Sequence, residues 1–187
     1  LSQRSINNAL ISWATYGERN PINNVLSDKE IVAMGSEELI TRIKNMQNLS
    51  HEILYYGPLS QDEFVRVLNA NHKTAVEPLE VAKNESFKQQ IVETPVVYIA
   101  PYEAKQITLT KQSIKGEKYN PEIAPIHSLY NEYFGGGMNA IVFQEMREAR
   151  GLAYSANARL SSPLKLSDSY VFRATIATQN DKMMDAL

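Results

Sequence analysis

The feature that most constrains this chain is a run of three glycines between two apolar segments of helical period. Gly135, Gly136 and Gly137 are consecutive and follow a segment whose apolar residues recur at helical spacing. A second amphipathic segment follows them and ends at Gly151, a residue typical of the position just past a helix. Alternation of apolar and polar residues then begins at Tyr154. The sequence therefore predicts a helix, a tight corner, a second helix and a strand, in that order.

Several segments around this unit favour strands. Residues 107–110 alternate strictly between apolar and polar, and residues 96–100 form a continuous β-rich run. Residues 154–160 and 170–176 also alternate, on either side of a turn at 161–163. Because adjacent strands joined by short turns pair antiparallel, we expect an antiparallel sheet.

The first half of the chain reads mainly as helices. Two capping boxes begin helices, one formed by Ser27 with Glu30 and the other by Ser60 with Glu63. Residues 51–56 are short, apolar and partly aromatic, which is typical of a strand.

Smaller signals complete this interpretation. We expect an N-terminal helix that ends at Gly17, a helix capped by Ser36 and a last helix capped by Asn180. Pro121 suits the first turn of a helix. The apolar stripe of that helix is expected at Ile123, Ile126, Leu129, Tyr130 and Tyr133.

These elements together predict a two-layer α+β fold, with an antiparallel sheet and helices packed on one face. Residues 73–94 show no clean period, and they contain the best candidate for a domain boundary. The first residue is not Met and the last residues carry no cap, so we interpret both ends as cuts in a longer chain.

Composition excludes several classes of protein. The chain carries 19 basic and 21 acidic residues, a net charge of −2, which argues against nucleic-acid binding by bulk charge. No apolar run approaches the roughly 20 residues that span a bilayer. Cysteine is absent, which removes disulfides and thiolate metal sites and fits either the cytoplasm or the periplasm.

The histidines do not form a recognisable zinc motif. His51, His72 and His127 are the three in the chain, and none has a second histidine four residues later. A helical zinc motif needs two imidazoles on one face, so we expect no metal site of that kind here. Each histidine is interpreted as a surface or strand residue, and a metal site assembled from residues distant in sequence is the alternative. A serine nucleophile elbow, a Walker loop and a dinucleotide fingerprint are also absent.

Arg147 and Tyr154 are the candidate functional pair. Arg147 lies near the end of the second helix and Tyr154 early on the strand, so the turn at Gly151 could bring their side chains together. Their donors suit a peptide carbonyl or a developing oxyanion. The alternative is an ordinary surface arginine and a half-buried sheet tyrosine. Glu145 and Glu148 are interpreted as exposed helix charges.

The glycine run has three interpretations of its own. Gly135, Gly136 and Gly137 suit a corner where backbones approach closely, a loop lining a substrate channel, or a phosphate cradle. The phosphate cradle has the least support, because no lysine follows at Walker spacing.

The stretch 133–155 resembles the M16 metallopeptidases, the pitrilysin and insulinase relatives that include the mitochondrial processing peptidases. The matching residues are Gly135-Gly136-Gly137-Met138, Phe143-Gln144-Glu145, Arg147-Glu148 and Arg150-Gly151-Leu152-Ala153-Tyr154-Ser155. The resemblance extends more weakly over residues 36–180.

The resemblance implies a fold and a role. Members are built from related α+β domains that pair into two halves around unfolded or extended peptide. One half carries zinc, and the other contributes an arginine and a tyrosine seven positions apart, as Arg147 and Tyr154 are here. It also implies that residues 1–85 are the second part of one domain, 86–95 a linker, and 96–187 the first part of the next.

By this resemblance, the chain is a fragment of the zinc-free, substrate-binding half of a zinc peptidase. The zinc itself would belong to the rest of the parent or to a partner subunit. The alternative is a noncatalytic scaffold or assembly subunit of the same family. Because partial domains leave sheet edges and helix faces exposed, we also expect the fragment to form a homodimer.

Overall fold

The computed structural model describes residues 2–83 and 86–187. The helices are α1 (Gln3–Tyr16), α2 (Asp28–Ala33), α3 (Ser36–Asn45), α4 (Gln61–Asn71), α5 (Ala124–Phe134), α6 (Ile141–Phe143) and α7 (Met183–Ala186). The strands are β1 (Gln106–Ser113), β2 (Ser155–Ser161) and β3 (Val171–Gln179). Short 3-10 turns lie at Met46–Asn48, Pro121–Ile123 and Asn180–Lys182, and a π-helical turn spans Gln144–Ala149.

The three strands form one antiparallel sheet in the order β1-β3-β2. The register sets Thr175 of β3 opposite Thr110 of β1 on one side and opposite Asn157 of β2 on the other. Ala156 and Ala158 of β2 are buried, and the residues that alternate with them, Ser155, Asn157 and Arg159, are exposed, as the alternation predicts. The predicted α+β fold with an antiparallel sheet is confirmed.

Contacts within the chain divide it into two compact units. One unit contains Leu1–Asn24 and Phe87–Leu187, and the other is Val25–Ser86. The first unit holds the sheet and every fully buried residue of the described chain. The second unit consists of short helices and extended segments. The units group residues by contact, whereas the predicted parts 1–85, 86–95 and 96–187 follow family domains, so that division stays a prediction.

Helix α1 is bound to the sheet through a polar network. Gln112 of β1 donates from its side-chain amide to the Thr15 hydroxyl at 3.1 Å. The carbonyl oxygen of the same amide accepts from the Arg173 guanidinium of β3 at 2.7 Å. Burial lowers the pKa of Arg173. The network satisfies a half-buried cation that would otherwise cost folding free energy.

The predicted helix starts are mostly confirmed. Both capping boxes form: the Ser27 backbone N–H donates to the Glu30 carboxylate at 2.8 Å, and that of Ser60 to Glu63 at 2.9 Å. Helix α1 ends at Gly17, whose φ is +80°.

Two predicted caps are wrong by one position. Ser36 is the first residue of α3 and Gly35 precedes it as the cap, while Gln179 rather than Asn180 precedes the last turns. Neither cap residue makes a side-chain hydrogen bond to its helix. Without such a bond, the sequence does not fix which of two neighbouring residues begins the helix.

Two predicted strands, 51–56 and 96–100, form no ladder. Within the described residues, the former makes no strand hydrogen bonds and Leu54 is 94% exposed. Val97 and Ile99 of the latter are also exposed. A strand exists only when a neighbour pairs with its backbone, and within the described residues no segment pairs in that way with either of these two. Both segments are rich in β-forming residues, but the prediction that they form strands is wrong.

Helix α5 begins after Pro121 as predicted, but its apolar stripe is largely turned to solvent. Ile126, Leu129 and Tyr133 are 64%, 72% and 68% exposed. Its contacts with the rest of this unit include His127, edge-on to Tyr170, Asn131, bonded to Leu160, and Phe134, whose ring centre lies 6.4 Å from that of Phe172. The predicted helix is confirmed. The helix face that packs against the sheet is not the one that carries Ile126, Leu129 and Tyr133.

None of the helices in the described ranges combines the length and the apolar character that crossing a membrane requires.

Candidate functional site

The glycine corner is positioned by close contact with strand β2. A Cβ on Gly135 would collide with the backbone of Ala158, at 2.5 Å from its nitrogen. The Ala158 N–H donates to the Gly135 carbonyl at 3.3 Å. Only a residue without a side chain permits that approach. Gly135 therefore fits the predicted close-approach corner, although its neighbour is a strand rather than a second helix.

Asn131 pairs with the same strand two residues further along. Its side-chain amide donates to the Leu160 carbonyl at 2.9 Å and accepts from the Leu160 N–H at 2.8 Å. The amide thus imitates a neighbouring strand along the outer edge of β2. Helix α5 and the corner hold this edge in place.

The other two glycines are less confined. A Cβ on Gly136 would meet the Asn131 carbonyl oxygen at 2.7 Å, whereas a Cβ on Gly137 would meet nothing within 4 Å. Both residues are exposed. A loop lining a substrate cavity stays a prediction for Gly135, Gly136 and Gly137.

Arg147 lies on a widened helical turn that the sequence does not reveal. The turn Gln144–Ala149 is π-helical, where a continuous α-helix was expected. Its end is closed by Gly151, whose φ of +57° favours glycine and whose N–H donates to the Arg147 carbonyl at 3.1 Å. Turns of this kind occur often at functional sites.

The Arg147 side chain is loosely bound and accessible. Its guanidinium carbon lies 4.9 Å from the centre of the Phe143 ring, and its Nε lies 3.6 Å from the Glu148 carboxylate. The side chain is 45% exposed. Exposed ion pairs of this length add little stability, so most of its five donors remain available to a ligand.

Tyr154 combines a fixed backbone with a free side chain. Its N–H donates to the Ala177 carbonyl of β3 at 2.8 Å. The residue is 72% exposed, and among the described residues its hydroxyl has no hydrogen-bond partner. This tyrosine is not the half-buried sheet residue of the alternative interpretation.

The backbone between Arg147 and Tyr154 is held at several points. The Leu152 N–H donates to the Met146 carbonyl at 2.8 Å, and Lys182 Nζ donates to the Gly151 carbonyl at 3.0 Å. The buried Thr178 hydroxyl donates to the Leu152 carbonyl. The turn is therefore rigid, and it carries exposed donors at both ends. Within the described chain these two side chains share no hydrogen bond.

The two neighbouring carboxylates take the surface positions expected of them. Glu145 and Glu148 are both exposed, and Glu148 faces Arg147. Among the described residues, neither carboxylate belongs to a group of side chains that could hold a metal ion.

The described residues form no zinc site of the kind that the resemblance assigns to the other half of the parent. In residues 2–83 and 86–187, no group of three or more histidine, cysteine or acidic residues could hold a metal ion. His127 packs edge-on against Tyr170, with ring centres 4.6 Å apart. His51 and His72, however, lie in direct contact, with their Nε2 atoms 2.8 Å apart. They are 21 residues apart, and no spacing rule predicts the contact.

The sequence matches the family described as the peptidase M16 inactive domain over residues 43–187. Among solved structures, the chain is similar to the crystal structure of a peptidase M16 inactive domain from Pseudomonas fluorescens. The TM-score is 0.55 at 19% identity, with 93% of this chain and 41% of that chain covered. The chain thus spans less than half the length of that relative. Comparison with curated protein sequences gave no significant match.

Proposed function

The chain belongs to the peptidase M16 inactive domain family, and from that premise we propose that it is a peptide-holding part of a larger peptidase. In this proposal Arg147 and Tyr154 contact an unfolded or extended peptide, and bond cleavage takes place elsewhere. The observation that carries it is the rigid turn between them, whose backbone is fixed while both side chains remain accessible.

Tyr154 is proposed to donate its phenolic hydrogen to a carbonyl oxygen of the peptide. Its hydroxyl lacks an internal partner in the described structure, so binding would break no existing hydrogen bond. A donor aimed at an oxygen that gains negative charge stabilises the transition state more than the ground state. In a complete enzyme, losing one such donor costs roughly 3–4 kcal/mol.

Arg147 is proposed to hold the neighbouring backbone or a carboxylate of the peptide. The planar guanidinium presents paired donors that match two acceptor oxygens at once. Stacking on the Phe143 ring restricts its stem. The ring thus lowers the entropy lost on binding without occupying the donors.

The zinc that cleaves the peptide is assigned to the other half of the parent chain or to a partner subunit. The described residues offer no group of three or more side-chain ligands, such as a catalytic zinc ion requires. This chain alone is therefore expected to bind peptide without hydrolysing it.

Peptide affinity tests the proposal directly. A fluorescein-labelled unfolded peptide is titrated with the chain, and fluorescence anisotropy gives the dissociation constant. We expect Arg147→Ala to weaken binding about tenfold or more, and Tyr154→Phe about two- to tenfold, from the usual energies of charged and neutral hydrogen bonds.

The matched controls lie in the other compact unit. Arg42→Ala removes an exposed arginine with its own ion pair to Glu38, and Tyr56→Phe removes a fully exposed hydroxyl. Both variants should bind as the unchanged chain does. Equal affinity in the chain and in both site variants would remove the proposed role from the pair.

A scaffold role is the second candidate, and the exposed apolar face of α5 favours it. Ile126, Leu129 and Tyr133 present this face to solvent, which suits burial against another protein surface. A scaffold needs no free donors at Arg147 and Tyr154. It predicts assembly without peptide binding, whereas the first proposal predicts peptide binding.

A further inference from the structure

We propose that His51 and His72 together form a two-histidine site for a divalent transition metal ion such as Zn²⁺, Ni²⁺ or Cu²⁺. Both side chains are exposed, and their Nε2 atoms lie 2.8 Å apart. The rings are nearly perpendicular, with centres 5.0 Å apart. The proposed site lies in the unit Val25–Ser86, and it is independent of the peptide-binding proposal.

The hydrogen bonding of His51 selects the form of imidazole that binds metals. Its Nδ1 lies 2.7 Å from the Leu49 carbonyl oxygen. Because a carbonyl only accepts, Nδ1 must carry the hydrogen, and in the neutral ring the lone pair is then on Nε2. Metal-ligating histidines are oriented by this same second hydrogen bond.

The carbonyl that orients His51 is itself fixed. The Leu49 N–H donates to the Met46 carbonyl at 3.1 Å, and the next residue, Ser50, donates to the Leu79 carbonyl at 2.7 Å. Leu49 and Leu79 form a short parallel bridge. The His51 ring is therefore positioned by backbone structure and not by a mobile side chain.

His72 approaches from the end of helix α4. Its N–H donates to the Leu68 carbonyl at 2.7 Å and closes the last turn. The free carbonyls at a helix C-terminus favour a nearby cation. The same helix end thus fixes the His72 backbone and supplies a favourable field for a bound ion.

The distance between the two nitrogens suits adjacent ligands on one ion. With metal–nitrogen bonds of about 2.0–2.1 Å, two cis ligands lie roughly 2.9–3.4 Å apart. Without an ion, His72 Nε2 donates to His51 Nε2. Metal binding therefore requires His72 to carry its hydrogen on Nδ1 instead, and the separation to open by a few tenths of an ångström. Imidazole ligands select Zn²⁺, Ni²⁺ and Cu²⁺ over Mg²⁺, which prefers oxygen.

The site has two protein ligands, so water must complete the coordination. Among the described residues no third metal-binding side chain joins the pair. An ion held this way exchanges readily and is open to further ligands. That behaviour distinguishes the pair from a closed structural zinc site.

Isothermal titration of the tag-free chain with ZnCl₂ and with NiCl₂ tests the proposal, with MgCl₂ as the negative ion. We expect saturable binding of Zn²⁺ and Ni²⁺, and at least about tenfold weaker binding in His51→Ala and in His72→Ala. Both residues are exposed, and circular dichroism checks that the variants fold.

His127→Phe is the matched control. It removes the third histidine and keeps an aromatic ring against Tyr170. Affinity should be unchanged in this variant and lost in the other two. The proposal is overturned if the chain binds neither ion, if either alanine variant binds as well as the unchanged chain, or if His127→Phe is the variant that loses binding.

Discussion

Gly135 is the residue at which the geometry of the candidate site is most sensitive. The backbone of Ala158 occupies the space where a side chain would begin. Gly137, only two positions later, faces open space. Glycine is therefore required by sterics at position 135, whereas at position 137 there is room for a side chain.

Substituting Gly135 by alanine is expected to destabilise the fold by roughly 1–3 kcal/mol, because the added methyl group must push strand β2 away. Urea unfolding measures the change. Gly137→Ala is the control, and we expect its stability to stay within about 0.5 kcal/mol of the unchanged chain. Equal effects at the two positions would show that the close approach does not determine the corner.

Helices α2 and α4 begin in the same way, and their caps make their starts sensitive to pH. Hydrogen bonds from the Ser27 and Ser60 hydroxyls and backbone N–H groups lower the pKa of Glu30 and Glu63. The folded state thus favours the ionised carboxylates. Each cap stabilises its helix above the ordinary glutamate pKa of about 4.3, and this stabilisation is lost as the pH falls through the lowered value.

Ser60→Ala should raise the pKa of Glu63 towards its ordinary value, since the largest cause of the shift is the serine hydroxyl. A carboxyl-carbon NMR titration reads this directly. Ser27→Ala is the matched variant, which should move Glu30 and leave Glu63 unchanged. A Glu63 pKa that ignores the loss of Ser60 would contradict the assignment.

Local signals in the sequence predict where helices and strands begin and end better than they predict which segments pair or pack together. The capping boxes, the alternation in β2 and the glycine at position 151 each act within a few residues, and each was predicted. The segments 51–56 and 96–100 depend on a pairing partner, and the packed face of α5 depends on the sheet. Propensity contains neither kind of information.

The candidate site shows the same difference between local sequence signals and contacts in the folded chain. The sequence indicates Arg147 and Tyr154 through a family motif, but it gives neither the π-helical turn nor the hydrogen bonds that fix the backbone between them. The contact of His51 with His72 joins residues from two separate elements. Such contacts arise only from the folded arrangement.

Across the whole molecule, burial is unevenly distributed. Among its described residues the unit Val25–Ser86 has no fully buried side chain, and the sheet unit leaves the apolar face of α5 in solvent. Monomeric proteins seldom expose large continuous apolar surface. We therefore propose that the chain buries the α5 face against a second copy of itself.

Sedimentation velocity over a range of concentrations tests this proposal. The unchanged chain should form a dimer as the concentration rises, and Leu129→Glu should remain a monomer because a charge would have to be buried. Leu54→Glu alters a still more exposed leucine in the other unit and should not prevent dimerisation. A monomer at every concentration would contradict the proposal.

The central claim is that extended peptide contacts the turn between Arg147 and Tyr154. The most direct measurement is photo-crosslinking with an unfolded peptide that carries a benzophenone group, followed by mass-spectrometric mapping of the attached residues. The account predicts crosslinks at residues 147–154 that unlabelled peptide competes away and that decline in Arg147→Ala. Crosslinks confined to other segments, or equally strong in that variant, would contradict it.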